Sequence, residues 1–426
     1  MGIELRIDLL NAMVLLLISS IAFLNLIASY QSVLQETPDR TGSFFTIYMM
    51  FVTGLLGVTA TGDLFNLYVL IEITSLTSYA MVGMGDPDRG PLAALNYVFI
   101  GVIGASFYLL GVGYLYIQTG SLNMTDIAGI LKGMEGSTTV LTAFTLCMIG
   151  IWIKMALFPM HVWLPNAYSY APTAFSRVVA PLMTKVMVYV MIRLMLTVFG
   201  LDYIFNTLNL AEPVVWLASL AIISGGIMAL SKRNLKQMLA YIIVCEIGYM
   251  VGGAWLGNTM GFTGAILHII NDALMTFALF LCAGNMIYRI GSVAFSDMEG
   301  LFAKMPWTMG CFVVSAFSII GVPPTCGFFS KWYLLLGAFE AGAYHFAAAL
   351  IISSLVCAVL FFTVFEACFF PSQTGDGHGH GHHPPIQMAE APLPMVIVSG
   401  LVGLSLILMG IWSGPIVNTL ILPLLK

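Results

Sequence analysis

Eight lysines occur in this 426-residue chain, and three of them, Lys154, Lys185 and Lys331, fall within long apolar stretches. Glu72, Glu246, His268, Asp272 and Arg193 fall in such stretches too. If the stretches cross a bilayer, each charge at its centre costs at least about 2.5–3.5 kcal/mol, which makes each one a functional candidate. Depth sharpens the point. Glu72 is two residues from the middle of the stretch 64–84, and Lys154 and Lys185 sit beside the centres of 138–168 and 173–199. Glu246 lies near the centre of 235–256, and Asp272 near that of 260–289, with His268 one turn earlier on the same face. Charges that merely reach for headgroups gather at span ends; these gather at the midplane. Mixed-sign groups at one depth on different helices form a path in the membrane plane, and these types suit a proton relay. Burial favours a lysine's neutral form and a nearby carboxylate its charged form, so moving a Glu–Lys pair together or apart loads or releases a proton. Lysine shifts readily in this way and arginine does not. The plain alternative for each pair is a static ion pair that fixes helix register. Lys331 lies about ten residues past the centre of its stretch and fits the row less simply.

The elements that must hold these groups follow from composition. Hydrophobic residues make up 59% of the chain and charged residues 8%, against about 25% charged in soluble domains. The chain reads as an all-α polytopic membrane protein. About 20 apolar residues cross the hydrocarbon, and twelve stretches qualify: 7–31, 43–61, 64–84, 91–117, 138–168, 173–199, 212–231, 235–256, 260–289, 305–337, 343–370 and 393–423. The first is too long for a signal peptide, has no basic lead and no small-residue cleavage site, and is read as a span. The loop "SKRNLK" holds Lys232, Arg233 and Lys236 and is placed on the cytoplasmic side. An even number of spans then puts both termini outside. The outer loops 118–137 and 200–211 carry one basic residue, Lys132, in keeping with this.

Two spans are interrupted, "IWIKMALFPMHVWLPNAYSYAP" at Pro159 and Pro165 and "SIIGVPPTCGFFSKW" at Pro323 and Pro324. Proline removes a donor and clashes with the preceding turn, which lipid tolerates only where neighbours or water satisfy the freed carbonyls. Paired broken helices point to an internally repeated transporter. The layout predicts an N-terminal span (1–42), two five-helix repeats (43–199 and 200–370) with the fourth span of each broken, a Gly/His-rich loop (371–392) and a C-terminal span (393–426). In this reading Lys154 is a switchable proton site and the break makes it reachable. His161, just past the break, is a further relay candidate or a cap. Arg193 is expected to pair near the outer end of its span, Glu366 to be interfacial and His345 to face the headgroups.

Other motifs are silent. His378, His380, His382 and His383 in "TGDGHGHGHHPP" form a weak candidate metal site, the plainer reading being a flexible linker. The seven cysteines lack C-x-x-C spacing and read as buried small residues. No dinucleotide fingerprint, phosphate loop or nucleophile elbow occurs, so no cofactor is expected in the chain. A net charge of −5 without a basic stripe excludes nucleic acid.

Three stretches resemble a known family. "GDLFNLYVLIEITSLTSYAMVG" (62–83) is similar to the glutamate helix of antiporter-like subunits, "KMALFPMHVWLPNAYSYAPTAFS" (154–176) to their broken helix, and "SKRNLKQMLAYIIVCEIGYM" (231–250) to their basic loop and following helix. The family comprises proton-pumping subunits of respiratory complex I, Mrp-type sodium/proton antiporters and membrane-bound hydrogenases. The wording "GDLFNLYV" leans to the Mrp and membrane-hydrogenase branch. The resemblance covers roughly 43–370. It implies two inverted five-helix repeats, with Glu72 and Lys154 as the family's glutamate and lysine. It also implies Lys185 as the central relay residue, His268 as the later histidine and Lys331 as the terminal lysine or glutamate. Asp272 and Thr276 stand where the family often has a histidine and a lysine, and Glu246 where glutamine is common. The second half is therefore a candidate for a different cation, with Glu246 and Asp272 as its relay or cation site. Most relatives have about fourteen spans, so the chain is expected to begin two helices later, and it has no long C-terminal lateral helix. The expectation is a proton-translocating subunit of a multisubunit complex in an energy-transducing membrane. Its partners are other membrane subunits and, if redox-driven, a peripheral redox arm. The alternatives are sodium translocation or Na+/H+ exchange, and a non-conducting structural subunit.

Overall fold

The computed structural model describes residues 3–134, 136–369 and 388–425. The four histidines of the Gly/His-rich loop lie outside the described residues. The elements, in order, are α1 (Leu9–Glu36), α2 (Thr41–Ala60), α3 (Leu64–Gly83), α4 (Gly90–Thr119), α5 (Met124–Leu131), α6 (Thr138–Lys154), α7 (Leu164–Tyr170), α8 (Thr173–Arg193), α9 (Ala211–Leu230), α10 (Leu235–Trp255), α11 (Thr259–Ile290), α12 (Leu301–Lys304), α13 (Pro306–Ile320), α14 (Cys326–Glu340), α15 (Tyr344–Phe369), α16 (Leu393–Ile411) and α17 (Ser413–Ile416). Polar residues in the connecting loops start several of them. The side chains of Asp8, Asp63, Asn123, Ser137, Asn234 and Asn258 accept from the first free backbone N–H groups of α1, α3, α5, α6, α10 and α11.

Among the described residues ten helices are long and apolar enough to cross a membrane. Two further crossings are each made of two shorter helices, α6 with α7 and α13 with α14. The sequence expectation of twelve spans with two breaks therefore holds. Its boundaries differ at the N-terminus, where α1 runs to Glu36, and it did not foresee the short helix α5 in the connection between α4 and α6. The proline assignment also changes in detail. Pro159 lies in the non-helical stretch between α6 and α7, whereas Pro165 occupies the first turn of α7, where a missing N–H costs nothing. In the second break Gly321 takes a left-handed φ of 94° to end α13, a conformation glycine adopts without a Cβ clash.

Following the crossings gives the topology. The first repeat, α2 to α8, begins on the side of the basic loop 231–234, and five crossings carry it to the opposite side. The second, α9 to α15, begins on that opposite side and ends on the basic-loop side. An odd number of crossings thus inverts the second repeat. Both chain ends emerge opposite the basic loop.

Burial separates an axis from a periphery. In α8, α10 and α11, 89%, 94% and 89% of the apolar window is buried, against 39–50% in the other seven long spans. Leu16, Phe23, Leu110 and Leu355 are among many exposed apolar side chains on the peripheral helices, the surface lipid would wet. The cysteines are all free; Cys311 is half-buried and the other six are buried. Glycines allow the closest helix approach. A Cβ on Gly150 of α6 would lie 2.6 Å from the Gly104 carbonyl of α4. Gly150→Val should therefore destabilise the assembled protein by about 1–3 kcal/mol, read as a lower thermal midpoint, whereas Gly113→Ala on the open face of α4, where nothing lies within 4 Å, should leave it nearly unchanged.

Candidate functional site

The first break places Lys154 as the last residue of α6, where the helix dipole presents its negative end. Its Nζ donates to Glu72 Oε1 on α3 at 2.7 Å and to Ser75 Oγ, one turn along α3, at 2.8 Å. Lys154 is 3% exposed and Glu72 21%, so this pair sits at the margin of the bundle with its carboxylate partly open.

The second pair is deeper. Lys185 Nζ on α8 lies 2.9 Å from Asp272 Oδ2 on α11, with side-chain exposures of 1% and 0%. The ammonium also donates to the Ala180 carbonyl at 3.3 Å and to Thr276 Oγ1 at 3.4 Å, while Thr276 donates to Asp272 Oδ1 at 2.8 Å. Asp272 and Thr276, two of the three departures from the family pattern, are thus groups that surround Lys185. Asp272 supplies its counter-charge and Thr276 holds the carboxylate.

One turn along α11, His268 joins the third group. Its Nε2 lies 2.5 Å from Glu246 Oε2 on α10, and its Nδ1 2.8 Å from Ser330 Oγ on α14. Both His268 and Glu246 are fully buried, and Glu246 Oε1 has no hydrogen-bond partner among the described residues. Glu246, His268 and Asp272 offer donor atoms within 4.8 Å of one another, so the second and third groups form one cluster. Tyr249, one turn from Glu246, packs its ring 5.4 Å from the His268 ring, and Lys331 Nζ lies 5.0 Å from the centre of the same tyrosine ring. Lys331 donates to the Ile319 carbonyl at 2.6 Å and to Ser354 Oγ at 3.4 Å.

Lys331 therefore belongs to the row despite its offset within the sequence stretch. The ammonium binds a carbonyl at the C-terminal end of the half-helix α13. The two breaks differ in this: at the second a lysine ammonium takes up the negative end of the half-helix, whereas at the first Trp163 Nε1 donates to the Ile153 carbonyl and the Lys154 ammonium is held by α3.

The structure brings together Glu72 with Lys154, and Lys185, Asp272, His268 and Glu246 with Lys331 next to them. Among the described residues no hydrogen bond joins Lys154 to Lys185. His161 stands apart from the row. It is 5% exposed, stacks on Phe158 and approaches Tyr241, and its Nδ1 has no partner among the described residues. Arg193 pairs with Asp8 near the end of its helix, at 2.6 and 2.8 Å. Glu366 is exposed, on a groove lined by Phe302, Phe317, Phe362 and Phe369, and His345 stacks on Trp216 at the start of α15.

Sequence reasoning missed Ser75, Ser330 and Tyr249, which look like ordinary helix residues, and it missed Arg177. That arginine is fully buried and donates to the Ala28 carbonyl, Ser32 Oγ and Asn285 Oδ1. Its signal was present in "SRVVAPLMTK", a charge two turns before Lys185 in an apolar run.

Helices buried on all sides, broken crossings and midplane ion pairs define an antiporter-like membrane subunit. Residues 61–357 match the family described as NADH:quinone oxidoreductase/Mrp antiporter, transmembrane, and the chain belongs to that family. It is 41% identical over 428 residues to an NADH-quinone oxidoreductase subunit, the one designated N, of Desulforudis audaxviator, spanning 99% of this chain and 84% of that one. It is 32% identical over 373 residues to a Na(+)/H(+) antiporter subunit of Alkalihalophilus pseudofirmus, spanning 87% and 74%. Its fold matches a chain of the membrane-bound sulfane sulfur reductase, an archaeal respiratory membrane complex, with a TM-score of 0.87 at 26% identity, covering 98% of this chain and 82% of that one. It also matches a chain of the Mrp complex from a Dietzia species with a TM-score of 0.86 at 22% identity, covering 98% and 83%.

The buried pair yields a stability test. Asp272→Asn leaves the Lys185 ammonium buried without its counter-charge and should cost about 3–5 kcal/mol, whereas Lys185→Met combined with Asp272→Leu should recover most of that. Thermal unfolding of the purified protein distinguishes the two. Equal losses in both variants would show that the pair is not what makes the single change costly.

Proposed function

We propose that this chain is a proton-translocating subunit of a multisubunit membrane complex. The observation that carries the reading is the row of buried ionisable groups on separate helices: Glu72–Lys154, then Lys185–Asp272 joined to His268–Glu246, then Lys331. Each lysine has a carboxylate or a half-helix end within reach and can therefore exist charged or neutral according to where that partner stands. A displacement that separates Glu72 from Lys154 favours the neutral amine, and the released proton passes to the next group. The chain's relatives occur in complexes with other membrane subunits. We assign the energy source to such partners, a redox arm or an ion gradient, and read residues 43–199 and 200–370 as the two halves between which the relay runs. We place the basic loop in the cytoplasm and both termini outside, which the clustering of Lys232, Arg233 and Lys236 on one face of the bundle supports.

A second reading, sodium translocation, draws on one observation. Glu246, His268 and Asp272 place two carboxylates and an imidazole within 4.8 Å. Sodium-independent transport that survives Asp272→Ala would rule it out.

The relay is tested by proton uptake into vesicles holding the intact complex. Lys154→Ala and Glu72→Ala should each lower uptake at least about tenfold, the loss that 1.4 kcal/mol of barrier produces. Unchanged uptake in both would overturn the relay.

A further inference from the structure

A row lying in the membrane plane moves protons sideways, and a pump must also connect it to water on both faces. We propose that α8 carries the connection across the membrane, and that Asp8, paired with Arg193, is the group through which protons leave on the face of the chain termini. This rests on the relay reading and adds the perpendicular path to it.

Every residue of α8 from Thr173 to Arg193 is buried. Its polar groups recur every fourth position, Arg177, Lys185, Tyr189 and Arg193, with Pro181 at the remaining place. Residues four apart are neighbours on a helix surface, and with about 40° of drift per step these form one line that winds about 160° around α8 as it rises. Sixteen residues at 1.5 Å give it a length of about 24 Å, most of the roughly 30 Å hydrocarbon layer. Pro181 has no N–H, so the Arg177 carbonyl lacks its helical donor and adds an acceptor to the line. Thr184 Oγ1 beside it is buried without a partner among the described residues.

A polar opening reaches Thr173, one turn before Arg177, and another reaches Arg193 at the far end. On the basic-loop face a cleft of about 400 Å³ is lined by Glu36, Asp86, Thr173, Lys236 and Gln237. Glu36 accepts from the Thr173 N–H at 2.8 Å, and Lys236 donates to the Ala171 carbonyl at 3.2 Å. On the terminal face a crevice of about 10 Å³ reaches Arg193 and is lined by Glu4, Arg6, Asn11 and Thr125 among others, space for about one water. Between that crevice and the midplane stand two contacts in series. Tyr189 donates to the Thr59 carbonyl at 2.9 Å and accepts from Arg193 Nε at 3.2 Å, and Arg193 grips Asp8 through both Nη atoms.

The step balances as follows. A proton arriving from the row through water binds the Tyr189 oxygen, the hydroxyl turns from the Thr59 carbonyl and gives its own proton to the water the crevice has room for, and that water passes a proton to the Asp8 carboxylate. Asp8 becomes a neutral acid, its attraction for Arg193 falls, and the pair opens toward the crevice. The acid gives the proton to water outside, and the carboxylate closes on Arg193 again. Arginine keeps its charge throughout, which makes Arg193 the latch and Asp8 the carrier.

The test uses the intact complex in proteoliposomes with an internal pH dye and an imposed potassium diffusion potential. Asp8→Asn should raise passive proton flux about fivefold, as for the loss of roughly 1 kcal/mol of closure, and lower driven uptake. Asp8→Glu should restore both. Tyr189→Phe added to Asp8→Asn should return the leak to baseline. Arg193→Lys, which keeps the cation but loses the two-pronged grip, should leak in the same sense and serves if Asp8→Asn does not assemble. A flux unchanged in both Asp8→Asn and Arg193→Lys, or a leak that survives Tyr189→Phe, overturns the proposal. Lys154→Ala separates this from the relay: it lies off the α8 line and should stop driven uptake while leaving the Asp8→Asn leak intact.

Discussion

The structure depends on one constraint: an ammonium ion inside hydrocarbon must be neutralised by a group that the fold puts beside it. Lys185 meets this in full, at 2.9 Å from Asp272 with both side chains sealed from solvent. Such a pair forces its two helices into the interior, because a carboxylate and an ammonium facing lipid would each face the full transfer cost. α8 and α11 are accordingly among the three most buried long helices, and the third, α10, brings Glu246 to His268. The peripheral helices then have only an apolar side to present, which is why the charges are concentrated on so few elements.

The breaks follow from the same constraint. A half-helix that ends within the membrane leaves carbonyls without donors, a liability in lipid. Lys331 takes up the Ile319 carbonyl at the end of α13, while at the end of α6 Trp163 Nε1 donates to the Ile153 carbonyl and the Lys154 ammonium turns to Glu72 and Ser75 on α3. At the second break the lysine and the break compensate for each other, the cation for the free carbonyl and the carbonyl for the buried cation. A continuous helix there would have left the Lys331 ammonium with less to bind. This accounts for lysine and proline falling close together in the second repeat, 331 with 323 and 324.

Much of this was legible in the sequence because the chain is so apolar. Each charge in a span stands out, and the proline positions mark the breaks. Glu72, Lys154, Lys185, Glu246, His268 and Asp272 were all found by depth alone. What depth cannot give is pairing. Lys154 binds a residue 82 positions away and Lys185 one 87 away, and only the packing of helices decides which carboxylate meets which lysine. Ser75, Ser330 and Tyr249 escaped because hydroxyls are common in membrane helices and carry no insertion penalty large enough to mark them. Asp8 escaped for a different reason. It precedes the first span as a helix cap, a role that needs no further explanation until Arg193 is seen to hold its carboxylate.

The three acid–base pairs are not equivalent, and the difference bears on how a relay could be driven. The Lys185–Asp272 and His268–Glu246 pairs are closed on every side by their own chain. Glu72 is 21% exposed, so the surroundings of the first pair are incomplete within this subunit. An electrostatic interaction strengthens as water and mobile charge are excluded from it, so whatever covers Glu72 sets how tightly it holds Lys154. A neighbouring chain that presents a cation there would weaken the pair, and an apolar surface would strengthen it. The pair at the margin is therefore the one a neighbouring chain can adjust: a change there shifts the balance at Lys154, while the sealed pairs lie out of its reach.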